Sequence, residues 1–100
     1  MIGEVRVLLF HKAEDADGVE AAYHRVSKEL APVPGLLANE LLRGVHEPNG
    51  FVVISTWRDL DAFTAWEQGI GHKDATAPLR PYRDTAGGRP FGVYQVTAEH

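Results

Sequence analysis

The segment Val53–His72, VISTWRDLDAFTAWEQGIGH, restricts the possible folds more than any other part of the chain. An alternating apolar run ends at Trp57. Asp59 then offers a side-chain cap, and Phe63, Trp66 and Ile70 recur at helical spacing before Gly71 and His72. Alternation marks a strand with one buried face, whereas steps of three and four mark one face of a helix. The period therefore changes at a single capped turn, where a strand hands over to a helix with an indole on each side. The two indoles are either the main bulk of a small core or the walls of a pocket for a flat ligand, with a histidine at its mouth.

Similar patterns place the remaining elements. Glu4–His11 reads as a first strand with apolar residues on both faces, Val5, Val7, Leu9 and His11 on one and Leu8 and Phe10 on the other. Asp17, followed three residues on by Glu20, is a capping-box-like start. Val19, Ala22, Tyr23, Val26 and Leu30 then form one apolar stripe of a helix that Pro32 and Pro34 stop. Leu36–Val45 reads as strand two, with Asn39 on the face of Leu37 and Leu41. His46–Gly50 reads as a turn and Phe51–Trp57 as strand three, so the two strands make a hairpin. The second helix runs from the Asp59 cap to about Gln68, where Gly69 and Gly71 break it. Lys73–Leu79 adds a helical turn that Pro81 halts, and Phe91–Thr97 is strand four.

The order β-α-β-β-α-β predicts an α+β, ferredoxin-like fold with a four-stranded antiparallel sheet. Two helices cover only one face of such a sheet. Apolar side chains on the other face would remain wet, at about 25 cal/mol per Å². Packing that face on a second copy removes the cost, so a homodimer through the sheet face is expected.

A chain of 100 residues supports one domain, spanning residues 1–100. Its 44% hydrophobic and 24% charged residues are ordinary for a globular domain. The absence of cysteine rules out disulfides and thiol chemistry and fits a cytoplasmic protein. The apolar run Val7–Phe10 is too short for a signal segment, and no run is long enough to span a membrane. The net charge is −4, and the basic residues are scattered apart from Arg80, Arg83 and Arg89, so nucleic acid is not an expected partner.

Pro34-Gly35-Leu36 at the entry of strand two and the Trp57, Phe63, Trp66 pattern resemble the antibiotic biosynthesis monooxygenase family, over about Val5–Val96. The resemblance implies a dimeric α+β barrel and two enzymatic branches. The quinone-forming branch uses neither metal nor flavin: a phenolic polyketide such as an anthrone is deprotonated, and its anion reduces dioxygen. That branch implies a Trp at the end of strand three, matched by Trp57, together with an Asn and a Tyr whose places are taken by Val53 and Phe63. The haem-degrading branch implies a Trp in helix two, matched by Trp66, and a His beyond it. His72 stands six positions after Trp66, closer than that branch requires, and strand one has no Asn. Haem is disfavoured, and no cofactor is expected.

His72 is the expected catalytic base, since a histidine titrates near neutral pH and accepts a phenolic proton. The plain alternative is a surface histidine in a loop. Trp57 and Trp66 are expected to hold the substrate rings, with the Trp57 N–H reaching a ligand oxygen. Arg80, Tyr82 and Arg83 would stabilise negative charge on oxygen, or simply make salt bridges or contact a dimer partner. Tyr23, Asn39 and Phe63 complete the expected substrate-binding set, the Tyr23 hydroxyl pointing into the cavity. His11, His24, His46 and His100 carry weaker signals, and no pair has metal-ligand spacing, so no metal site is expected. The expected function is cofactor-independent oxidation of a small flat aromatic, a polyketide intermediate or quinol, by dioxygen. The alternatives are a non-catalytic dimeric ligand-binding or stress-associated module and a haem protein using His72.

Overall fold

The structure, a computed structural model, describes residues 1–69 and 71–100, and only the backbone of His72. Strand β1 (Val5–Lys12) leads into helix α1 (Ala16–Leu30), followed by β2 (Leu36–Arg43), β3 (Gly50–Trp57) and α2 (Leu60–Glu67). A short helix α3 (His72–Thr76), a 3-10 helix (Ala77–Tyr82) and β4 (Phe91–Gln95) complete the chain. The sheet order is β2-β3-β1-β4 with every neighbouring pair antiparallel, which is the ferredoxin-like arrangement expected.

Local chemistry moves several boundaries. The cap of α1 is Asp15 rather than Asp17: its Oδ1 accepts from the Gly18 N–H at 3.0 Å, and Asp17 lies in the first turn, where the helix dipole favours an acid. At the start of β2 the register slips between Leu36 and Ala38. The slip reverses the alternation, so Leu36 joins Asn39 and Leu41 on the inner face. Leu37, expected beside Asn39, is 54% exposed instead. Strand β2 ends at Arg43 rather than Val45 because the Gly44 N–H already bonds the Gly50 carbonyl at 2.8 Å, closing the hairpin loop. Pro81 does not halt the helical segment but lies inside its 3-10 turn, which buries Leu79.

Gly35, with φ +85°, is in a conformation that suits glycine, and a Cβ there would run into the Ala62 side chain of α2. This close approach seats α2 against the start of β2. The helices cover the sheet face that carries Val5, Val7, Leu9 and His11 of β1 and Phe51, Val53, Ser55 and Trp57 of β3. Val19, Ala22, Val26 and Leu30 of α1 are buried against this layer. On the opposite face Leu8, Phe10, Val52 and Ile54 are half-buried, and Leu42 and Tyr94 are exposed. Among the described residues, no helix is long and apolar enough to cross a membrane.

Candidate functional site

A cavity of about 170 Å³ opens between the helices and the inner face of the sheet. Val7, Leu9, Val53, Ser55 and Trp57 form its floor, with Val26 and Leu30 of α1 and Phe63, Trp66 and Glu67 of α2 above. Arg80, Arg83, Pro90 and Phe91 line the side where β4 leaves the helices behind. Arg80, Arg83 and Phe91 are exposed, which makes this side the mouth.

The aromatic wall follows from the handover between β3 and α2. Trp57, the last residue of β3, is 1% exposed. The Asp59 carboxylate accepts from the Ala62 N–H at 2.8 Å and starts α2 immediately afterwards. Phe63 and Trp66 therefore return over Trp57. The Trp66 ring stacks on Trp57 at 5.3 Å between centroids, and Phe63 meets Trp57 edge-on at 5.5 Å. Trp57, Trp66 and Phe63 are thus core residues and cavity walls at once. The Trp57 N–H, expected to reach a ligand oxygen, donates to the Ser55 hydroxyl at 2.9 Å.

Among the described lining residues, apolar side chains outnumber polar ones. The Asn39 Nδ2 donates to the Ser27 hydroxyl at 3.0 Å, while its Oδ1 is buried without a partner. His11 is 5% exposed, lines the cavity and has a buried Nδ1 without a partner. A buried polar atom left unsatisfied costs about 1–3 kcal/mol, so two such atoms beside one apolar cavity are unusual for pure core. Burial lowers the pKa of His11, and the Arg83 charge lowers it further. The Leu9 carbonyl acts in the opposite sense, without a hydrogen bond to Nδ1. A backbone bridge joins His11 to Arg83, and the Asp84 N–H bonds the Phe10 carbonyl at 2.9 Å.

The other expected residues disperse. The Tyr23 hydroxyl donates to the Asn39 carbonyl at 2.9 Å, tying α1 to β2, and Tyr23 does not line this cavity. Tyr82 packs on the core beneath α1 with its hydroxyl toward Gly18, also away from the cavity. Arg80 donates to the Lys73 carbonyl at 2.7 Å and, like Arg83, reaches the mouth. Ile70 and the side chain of His72 lie outside the described residues. His11 is the site residue that its position at a strand end concealed. The signal was its parity with Val5, Val7 and Leu9, which puts it on the inner face. Among the described residues no cluster of three or more His, Cys, Asp or Glu side chains is placed to hold a metal.

The family model described as antibiotic biosynthesis monooxygenase matches residues 1–78. Protein SchA of Streptomyces halstedii is 31% identical over 95% of the chain, and a 42.8 kDa protein of the whiE locus of Streptomyces coelicolor is 30% identical over 86%. The chain spans about a quarter of the length of these curated relatives, 26% and 25%. Among solved structures, SnoaB of Streptomyces nogalater, a cofactor-independent oxygenase, superposes with a TM-score of 0.78 at 22% identity, covering 99% of this chain and 97% of its own. At that identity the superposition speaks for the fold.

The buried histidine has a consequence for stability. Its pKa is lowered in the folded chain, whereas an unfolded histidine titrates near 6.5. Below about pH 6.5 the unfolded chain binds a proton that the folded chain does not, so stability rises with pH across this window. The contribution is complete above 6.5 and is lost as pH falls toward the folded value. Denaturant unfolding between pH 7.5 and 5.5 is expected to show this loss, and His11→Gln to flatten it. An equal slope in both proteins would contradict the burial of a neutral imidazole.

Proposed function

The chain belongs to the antibiotic biosynthesis monooxygenase family, and on that basis we propose that it is a cofactor-independent monooxygenase acting on a small, flat, largely apolar aromatic. The substrate class is a polyketide intermediate or a quinol, and the oxidant is dioxygen. The observation that carries this reading is the cavity walled by stacked indoles, in which apolar lining side chains outnumber polar ones. Such a site desolvates and positions a substrate that supplies its own electrons.

For an anthrone-type substrate the reaction converts a ring CH2 and O2 into a ring C=O and H2O. Loss of one proton gives a delocalised anion, which passes an electron to dioxygen. Recombination forms the C–O bond of a peroxide. Loss of the second carbon-bound hydrogen as a proton cleaves the O–O bond, leaving the carbonyl and hydroxide, which is protonated to water. Trp57, Trp66 and Phe63 supply the ring contacts, Asn39 contributes an acceptor, and Arg80 and Arg83 face the developing negative charge from the mouth. A void of about 150 Å³ accommodates benzene. The cavity, at about 170 Å³, therefore suits the reacting ring, with the rest of a polycycle extending past Phe91.

Val53 and Phe63 favour a second reading, a non-catalytic ligand-binding module, because both are buried apolar side chains where the quinone-forming branch implies polar ones. Oxygen uptake with a panel of anthrones and quinols separates the two. The enzyme reading expects uptake that a chelator leaves unchanged. Binding without uptake across the panel would leave the module.

We place the chain in the cytoplasm and propose that it acts as a homodimer. Leu8, Phe10, Leu42, Val52, Ile54 and Tyr94 form an apolar surface that neither helix covers. Light scattering is expected to give twice the 11.0 kDa of the chain, and Ile54→Lys to shift the population toward monomer. A wild-type mass of one chain at micromolar concentration would refute sheet-to-sheet pairing.

A further inference from the structure

We propose that His11 is the catalytic base of this site, taking the acidic proton of the bound substrate and returning it to the hydroxide released when the O–O bond breaks. The proposal rests on the cofactor-independent reading above. It adds a residue that neither enzymatic branch of the family pattern implies.

Three placements support the assignment. First, β1 alternation puts His11 on the inner face, opposite Phe51 of β3, at the edge of the cavity that holds Trp57 and Trp66. Second, the imidazole is almost fully buried and Nδ1 has no partner, although buried nitrogens are normally satisfied. Third, a backbone bridge joins His11 to Arg83, whose charge acts on the ring and whose side chain lines the cavity mouth. Proton transfer to His11 turns a neutral pair into imidazolium and substrate anion. Burial, with a smaller contribution from Arg83, keeps the ring neutral beforehand, which is the state a base requires, and the Arg83 charge offsets that of the anion once it forms. The atoms balance: His11 gains the proton as the anion forms and surrenders it as hydroxide becomes water.

Among the described residues, the charged groups that line the cavity besides His11 are Arg83 and Arg80 from the segment before β4 and Glu67 from α2. Glu67 is exposed to solvent, whereas His11 is buried at the cavity. His72 is the remaining rival and is tested in parallel.

The test uses the full chain with anthrone as substrate and 4-nitrophenol as a probe that ionises without being oxidised. In wild type, anthrone oxidation should show an acid limb in kcat/KM. His11→Gln should lower kcat by roughly 10²–10⁴-fold, remove that limb, and regain rate at alkaline pH, where anthrone ionises unaided. Bound nitrophenol should be ionised at a lower pH than free nitrophenol in wild type but not in His11→Gln. His11→Asn serves if the Gln variant does not fold, and histidine NMR titration of the unaltered chain reports ionisation of the ring on nitrophenol binding. Wild-type kcat and acid limb in a folded His11 variant would overturn the proposal, as would their loss in His72→Ala alone. If no anthrone or quinol is oxidised while nitrophenol ionises only with His11 present, the oxygenase reading fails and the proton acceptor stands.

Discussion

The contact between Trp57 and Trp66 joins the two halves of this structure. Trp57 ends the strand that pairs on both sides, with β1 and with β2, so its position is fixed by the sheet. Trp66 lies on the helix that begins immediately afterwards, and its ring stacks on Trp57 at 5.3 Å. The pair is worth about 0.5–1.5 kcal/mol beyond the area it buries. Its larger effect is geometric. Two rigid indoles set the spacing between α2 and the sheet, and the cavity occupies the space that remains on the side of β1 and α1. Gly35 acts with them by letting α2 approach the start of β2 at Ala62.

The same constraint explains why the site is poor in polar chemistry. A sheet face that must bury two tryptophans, a phenylalanine and several valines has little room for groups needing hydrogen bonds. Those present are mostly committed: Ser55 to the Trp57 N–H, Asn39 Nδ2 to Ser27, Tyr23 to the Asn39 carbonyl. His11 Nδ1 and Asn39 Oδ1 stand apart because each is buried without a partner. A cavity of this kind suits chemistry in which the substrate brings the reducing power and the protein contributes desolvation, orientation and a route for one proton.

Periodicity made most of the fold legible because strands and helices differ in period. The alternation ending at Trp57, the cap at Asp59 and the stripe from Val19 to Leu30 all took the predicted form. The site was less legible, for identifiable reasons. A register slip after Leu36 is a backbone event that strict alternation does not anticipate, and it exchanged Leu36 for Leu37 on the inner face. The side chains of Tyr23 and Tyr82 were committed by long-range partners, a β2 carbonyl and the first turn of α1, which no local pattern encodes. His11 was legible in principle through its parity with Val5, Val7 and Leu9. Only the return of the chain at Arg83 shows that the end of β1 is covered rather than open.

A crystal structure of the chain with a bound quinone product, anthraquinone, tests most directly whether the cavity beside the Trp57–Trp66 stack receives a flat aromatic ring. The ring is expected against the Trp66 face, with one quinone oxygen within hydrogen-bond reach of the His11 side chain and the rest of the molecule toward Arg83 and Phe91. Quinone bound only on the outer sheet face around Ile54, with the cavity closed by repacked side chains, would contradict it.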